Sequence, residues 1–321
     1  MIVVRLQGGL GNQLFQYAFG HRARAVTGRP LVFDTRLLRS IGAHGGYELE
    51  RLGLEVEADI ASLRRHFPGW RVWLLEHLPK SSRASWGFLE EPSVEQLQQS
   101  NTPAILVKGY WQTADVSNAA TACVRDAVLR CSHQTLSEDP FLLEIRGQAN
   151  SVAVHIRRGD YVANPKIRGQ FGPCSLEYFL GGMHRMRDRL DSPRFFVFSD
   201  DPAWAESAFS GQRDICVVAG PTSAVADFCR MACCRHFVLS NSSLSWWAAH
   251  VSGPALWAGA GGDLPVCSDE LRAEGEVIYP TPWFDSPKLM STAEHLAKPG
   301  WVGMPKTVNS GSKNDTNQRT V

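Results

Sequence analysis

The chain has 321 residues, of which 44% are hydrophobic and 20% charged, the balance of a globular protein with a full core. A net charge of +1 gives no global field for nucleic acid or for a polybasic membrane anchor, so no nucleic-acid partner is expected. No apolar run reaches the roughly 18 residues of a membrane span, no leader peptide is recognised, and Met1 runs straight into the apolar Ile2-Val3-Val4.

Ile2 to Leu6 reads as a strand, Gln7 to Gly11 as a glycine-rich turn, and Asn12 to Val26 as a helix stopped by Gly28-Arg29-Pro30. A short strand follows at 31–33. The stretch from about 36 to 100 holds short helices and many Arg and Trp residues, without a clear period. Residues 104–107 read as a strand, followed by Gly109-Tyr110-Trp111-Gln112, and residues 115–150 as mostly helical. From there the pattern alternates cleanly. Strands are predicted at 152–156, 195–198, 215–218, 236–239 and 255–258. Helices are predicted at about 175–190, 203–209, 222–235 and 243–252. That alternation predicts a doubly wound parallel sheet. The expected organisation is one α/β domain over 1–148, a second over 149–285, and a polar, partly disordered tail over 286–321.

Eight cysteines lie at 123, 131, 174, 216, 229, 233, 234 and 267. Several sit in apolar runs and read as buried thiols, and none has the paired spacing of a zinc site.

Four segments carry candidate chemistry. In Gly8-Gly9-Leu10-Gly11-Asn12-Gln13, glycines between strand and helix let backbone approach a ligand, and the helix start offers unpaired N–H groups to an anion. Asn12 could equally cap that helix. The segment is neither a P-loop nor G-x-G-x-x-G. In His155-Ile156-Arg157-Arg158-Gly159-Asp160-Tyr161, an apolar strand feeds two arginines into a turn. His155 and Arg157 alternate, so they share a face. A guanidinium at a strand's carboxyl end suits a diphosphate, although a structural salt bridge is the plainer alternative. Arg158 could be a packing or salt-bridge residue. Asp160 could be a general base, or could hold Arg158 or cap the turn. In Ser199-Asp200-Asp201-Pro202, Asp201 fits a helix N-cap before proline, which leaves Asp200 for a ligand such as the N–H edge of guanine. In Ser240-Asn241-Ser242-Ser243, polar groups open a helix where a phosphate could sit, one of them serving as the cap. Asp227 reads as a site residue or an ion-paired helix residue, and Trp246 and Trp247 as core.

Together these segments resemble the α-1,2-fucosyltransferases of glycosyltransferase family 11. The resemblance is carried by VVRLQGGLGNQLFQYAFG from residue 3, KGYWQ from 108, HIRRGDYV from 155 and FGPCSLEYF from 171. It continues with FVFSDDP from 196, HFVLSNSSLSWWAAH from 236 and PTPWF from 280, and so spans Ile2 to about Phe284. It implies a GT-B fold, two Rossmann-like domains facing a cleft. It implies GDP-L-fucose as donor, the 2-hydroxyl of a galactose-terminated glycan as acceptor, inversion at the anomeric carbon, and neither cofactor nor metal. By the same resemblance Arg157 stabilises the leaving diphosphate, and His155 and Asp200 contact guanosine. Asn241, Ser242 and Ser243 hold phosphate or ribose, Gly9, Gly11 and Asn12 reach the donor from the other domain, and Asp160 is the candidate base. A lipid-linked acceptor, a cytoplasmic location and peripheral membrane contact are compatible with it. The alternatives are a transferase for another GDP-sugar and a non-catalytic GDP- or glycan-binding protein.

Overall fold

The computed structural model describes residues 1–40, 46–56, 59–219, 223–257, 275–293 and 295–307. The first half is a parallel sheet of β1 (Ile2–Arg5), β2 (Leu31–Asp34), β3 (Phe88–Glu90) and β4 (Ile105–Lys108), in the order β2-β1-β4-β3. β1 is central, and Ile2, Val3 and Val4 are fully buried, as a parallel strand covered on both faces requires. The first helix, Leu10–Thr27, begins two residues before the expected Asn12. Its N-cap is Gly9, and it ends on Gly28 in the left-handed region, whose N–H bonds the carbonyl of Arg24. Asn12 is therefore not the cap. The unread stretch supplies β3 and the short helices Ile60–His66 and Gly69–His77, whose Leu63, Val72 and Leu75, with Phe67 between them, pack with Val3, Val32 and Leu106.

The second half is a six-stranded parallel sheet: β5 (Ser151–Ile156), β6 (Arg194–Ser199), β7 (Ile215–Val217), β8 (His236–Val238), β9 (Val277–Thr281) and β10 (Val302–Pro305). Their order is β10-β9-β8-β5-β6-β7. The order reverses at β5, the switch point where open α/β sheets bind ligands beyond their strand ends. Two parallel α/β halves facing a cleft constitute the GT-B arrangement. The helix Leu176–Arg189 buries Tyr178, Phe179, Met183 and Met186, the stripe its period predicted.

Three expectations change. The predicted strand at 255–258 is a helical turn, Pro254–Trp257, since proline suits a first helical position and has no N–H for a ladder. The ordered chain continues past 285: the helix Pro287–Ala293 and β10 lie in the expected tail, and β10 pairs with β9. Residues 308–321 of that tail, and Cys267, lie outside the described residues. The boundary at 148 also moves. The helices Thr121–Gln134 and Pro140–Gly147 dock on the second half, where Arg125 Nε donates to the carbonyl of Val251 (2.8 Å) and Arg230 pairs with Asp139 (2.6 Å). The Arg230 guanidinium also pairs with Asp227 at 3.1 Å, which makes Asp227 an ion-paired helix residue.

The halves share one core. Phe15 of the first helix lies 4.9 Å from Trp246 and 5.2 Å from Trp247, centroid to centroid, and both tryptophans are fully buried. Three imidazoles are buried, His250 against these tryptophans and His236 and His155 elsewhere. His250 Nε2 lies 3.0 Å from Ser117 Oγ and 2.8 Å from Thr121 Oγ1, and His236 Nδ1 accepts the Glu276 N–H. Burial lowers both, His236 to about 4 and His250 to about 3, and lowers His155 to about 4. All three bind protons more weakly folded than unfolded, where a histidine titrates near ~6.5. Their contribution to stability is therefore complete above about pH 6.5 and is lost as pH falls from there toward 4. Urea titrations at pH ~7.5 and pH ~5 should give a clearly lower midpoint at the acid value; an unchanged midpoint would contradict the neutral buried state.

Candidate active site

Between the halves lies a cleft of about 1020 Å³, lined by the turn after β1, the segment after β5 and the start of the Ser243–Val251 helix. One of its cations is Arg157. The strand β5 ends at Ile156, and the chain turns at once into the short helix Gly159–Ala163. Arg157 Nη2 lies 2.8 Å from Asp160 Oδ1 and Nη1 lies 3.0 Å from Asp200 Oδ2, so two carboxylates flank the guanidinium as ion pairs. Asp200 Oδ1 accepts the Arg158 N–H at 2.8 Å. A Cβ on Gly159 would stand 2.8 Å from Asp200 Oδ2, so the glycine admits that carboxylate. Arg158 turns away. It pairs with Asp201 at 3.2 Å and lies 3.9 Å over the Trp204 ring. Asp201 caps the Pro202–Ala208 helix through the Trp204 N–H, as proline at its first position suggested.

Gly9, Gly11, Asn12, His155, Arg157, Asp160, Asn241, Ser242 and Ser243 all line this cleft. Asp200 does not line it. Both its oxygens are already engaged, so the structure makes it a holder of Arg157 rather than a reader of guanine. Asp160 likewise pairs with Arg157 rather than Arg158.

His155 is buried and neutral, with Nδ1 2.8 Å from Ser240 Oγ. Asn241 reaches the cleft wall but not with a free amide. Its Nδ2 donates to the carbonyls of Phe171 (2.7 Å), Gly172 (2.9 Å) and Trp283 (3.1 Å). It therefore ties two cleft-lining segments to the strand end with its Nδ2. Asn241→Ala would leave the buried Trp283 carbonyl unpaired, while Lys306 Nζ still donates to the carbonyls of Phe171 and Gly172, and should cost about 1–3 kcal/mol of stability. Equal chemical-denaturation curves for variant and parent would contradict that. Ser242 is the N-cap of the Ser243–Val251 helix without a side-chain cap bond.

The first-half turn is fixed from below. Buried Gln13 donates to the carbonyls of Gly8 and Gly46, 2.8 Å each, and accepts the Glu48 N–H. Buried Gln16 accepts the Gln7 N–H and donates to the Gly109 carbonyl at 3.0 Å. Asn12 Oδ1 accepts from Ser243 Oγ (3.0 Å) and from Gln112 Nε2 (2.8 Å), which links the halves directly. Gly11 abuts the Ser243–Leu244 backbone, where a Cβ would overlap the Leu244 amide nitrogen.

Sequence reasoning missed Glu48, Arg51 and Glu91 in the first-half wall. They lie in the stretch without a period, and no spacing marked them. The KGYWQ block did mark Tyr110 and Trp111. Trp111 holds φ +46° and stacks on Phe19 at 3.9 Å with 5° between planes, and Glu91 also holds φ +46°. Left-handed backbone at two residues other than glycine, both in one cleft wall, is strain of the kind found at ligand sites.

Among the described residues no group of three or more His, Cys, Asp or Glu could hold a metal ion. No helix among them is long and apolar enough to cross a membrane.

The model of the family described as glycosyl transferase family 11 matches residues 57–257. The chain belongs to glycosyltransferase family 11. It is therefore a glycosyltransferase, and the relatives below align over 76% to 94% of its length. An α-1,2-colitosyltransferase of Escherichia coli is 30% identical over 91% of this chain and 95% of its own. The O-antigen biosynthesis glycosyltransferase WbnK of Escherichia coli is 29% identical over 76% of this chain and 88% of its own. The galactoside 2-alpha-L-fucosyltransferase Sec1 of Mus musculus is 26% identical over 94% of this chain and 77% of its own.

Proposed function

We propose that this family 11 enzyme transfers L-fucose from GDP-L-fucose to the 2-hydroxyl of a terminal galactose, with inversion and without a metal. The observation that carries the reading is the Arg157 guanidinium, held by Asp160 and Asp200 in the wall of an interdomain cleft at the sheet's switch point. As the bond from the anomeric carbon to the diphosphate breaks, negative charge grows on the β-phosphate. A cation fixed beforehand stabilises that charge more than it stabilises the ground state. His155, Ser242, Ser243 and the start of the Ser243–Val251 helix would bound the nucleotide. Gly9 and Asn12 would close on it from the first half. The acceptor hydroxyl then attacks from the first-half wall, opposite the leaving diphosphate.

Glycan-directed relatives support the acceptor class: one is named for O-antigen biosynthesis and another for galactosides. A lipid-linked O-antigen unit fits that class, and peripheral contact at the cytoplasmic membrane face would follow from it. A second donor reading comes from the relative named for colitose. That sugar is fucose without its 3-hydroxyl, and the two differ in a single polar contact. The test is GDP release from GDP-L-fucose, GDP-colitose and GDP-mannose over a panel of β-galactosides with EDTA present. Acceptor-dependent release preferring GDP-L-fucose supports the reading. Preference for GDP-colitose replaces the donor. GDP binding without release on any acceptor makes the chain a binding protein.

A further inference from the structure

The cleft holds a carboxylate that the donor chemistry leaves unexplained. Glu48 follows the loop that Gln13 clamps, and its own N–H donates to Gln13 Oε1 at 3.0 Å. The residue lines the cleft yet is only 1% exposed. Its Oε1 lies 3.0 Å from Arg51 Nη1, whose side chain is mostly in solvent. Its Oε2 is buried without any hydrogen-bond partner. Buried carboxylate oxygens are ordinarily satisfied, so an orphan in a ligand cleft calls for a partner that arrives with the ligand. Burial pushes the Glu48 carboxyl up, and the Arg51 guanidinium opposes that. The other acidic groups in the cleft are differently disposed. Asp160 Oδ1 is also buried without a hydrogen-bond partner, but it lies 2.8 Å from the Arg157 guanidinium in the opposite half, on the side of the leaving diphosphate; Glu91 is exposed, with one oxygen accepting the Tyr110 N–H at 3.2 Å.

We infer that Glu48 is the group that orients and deprotonates the attacking acceptor hydroxyl. The inference rests on the transfer reading above and adds the base that reading lacks. In the step, the hydroxyl proton passes to Glu48 Oε2 and the oxygen's electron pair forms the bond to the anomeric carbon. The bond from that carbon to the diphosphate breaks, and its electron pair leaves on GDP beside Arg157. The geometry is consistent: Glu48 stands on the first-half wall, and Arg157 on the second-half wall of the same cleft. A carboxyl raised by burial is better matched to accept a proton near neutral pH than an ordinary exposed one.

The test is Glu48→Gln, which preserves shape and removes the proton acceptor. Galactoside transfer should fall by about a hundredfold or more, the usual size of a general-base effect. GDP affinity should stay within about twofold, because Glu48 is not among the groups placed against the donor. The parent's kcat should rise with pH through the Glu48 ionisation, and the variant should lose that limb. Azide, a nucleophile with no proton to surrender, should restore GDP release to the variant. Transfer by Glu48→Gln within about threefold of the parent overturns the inference. So does a loss of transfer accompanied by loss of GDP binding and no azide rescue, because that is the mark of a structural role. If the parent itself transfers nothing to any galactoside, the transfer reading fails instead, and the two failures are told apart.

Discussion

Arg157→Ala should lower sugar transfer by at least about a hundredfold while the protein stays folded. Loss of one fixed charge-stabilising group usually costs about that much, or roughly 2.7–4 kcal/mol of transition-state stabilisation. Arg157 is only partly buried, at 29% side-chain exposure, and packs no core, so its removal should leave the fold intact. It does leave Asp160 and Asp200 without their shared partner and adds local negative charge beside the diphosphate. Donor binding should therefore weaken as well as turnover. Lysine at this position restores the charge but not the two-pronged grip, and should recover only part of the loss. Asp200→Asn separates holding from contact. Asp200 lies off the cleft lining, so the variant should lose turnover through a loosened Arg157 while discriminating GDP from ADP as the parent does. Near-normal turnover of a folded Arg157→Ala enzyme would remove the arginine from the mechanism.

Gly11→Ala should be the most damaging small substitution in the first half. Its new Cβ would collide with the Leu244 amide nitrogen and lie 2.6 Å from Ser243 Oγ. Backbone is the obstacle, and it cannot rotate aside as a side-chain tip can. The first helix would have to withdraw from the Ser243–Val251 helix, which strains the Asn12–Ser243 bond and the contact of Phe15 with Trp246. Overpacking of this kind costs about 1–3 kcal/mol. In a chain of this size that is a fall in Tm of roughly 2–4 °C per kcal/mol. Activity should fall further than stability, because the same displacement opens the donor cleft. A variant with parental Tm and turnover would mean that the halves do not meet at Gly11.

Much of the second half was legible because each parallel strand is a short apolar run set off by turn residues and followed by a periodic helix. Val152–Ile156 and the Tyr178–Met186 stripe are the clearest cases. The strand expected at 255–258 misled because Pro254-Ala255-Leu256-Trp257 is apolar but too short for any period to show. β10 was missed because Val302-Gly303-Met304-Pro305, an edge strand, looks like polar tail on both sides. In the site, residue types announced the arginines, but not which carboxylate each would meet. That depends on the turn at Gly159, which delivers Asp160 and Asp200 to Arg157 and leaves Asp201 for Arg158. The glycines and Asn12 were visible as a ligand-approach motif. The structure uses Gly11 and Asn12 to join the halves as well, a long-range contact that no local pattern encodes. Glu48 was silent for the same reason. Its place in the cleft is set by Gln13, 35 positions earlier in the chain.

The central claim is that the Arg157 cleft directs fucose onto a galactose 2-hydroxyl. The most direct measurement is NMR of the product formed from GDP-L-fucose and a β-galactoside with EDTA present, run beside the matching 2-deoxygalactoside. The account predicts a single new α-1,2 linkage with the galactoside and no product with the 2-deoxy compound. A linkage to another hydroxyl, or transfer to the 2-deoxy acceptor, would contradict it.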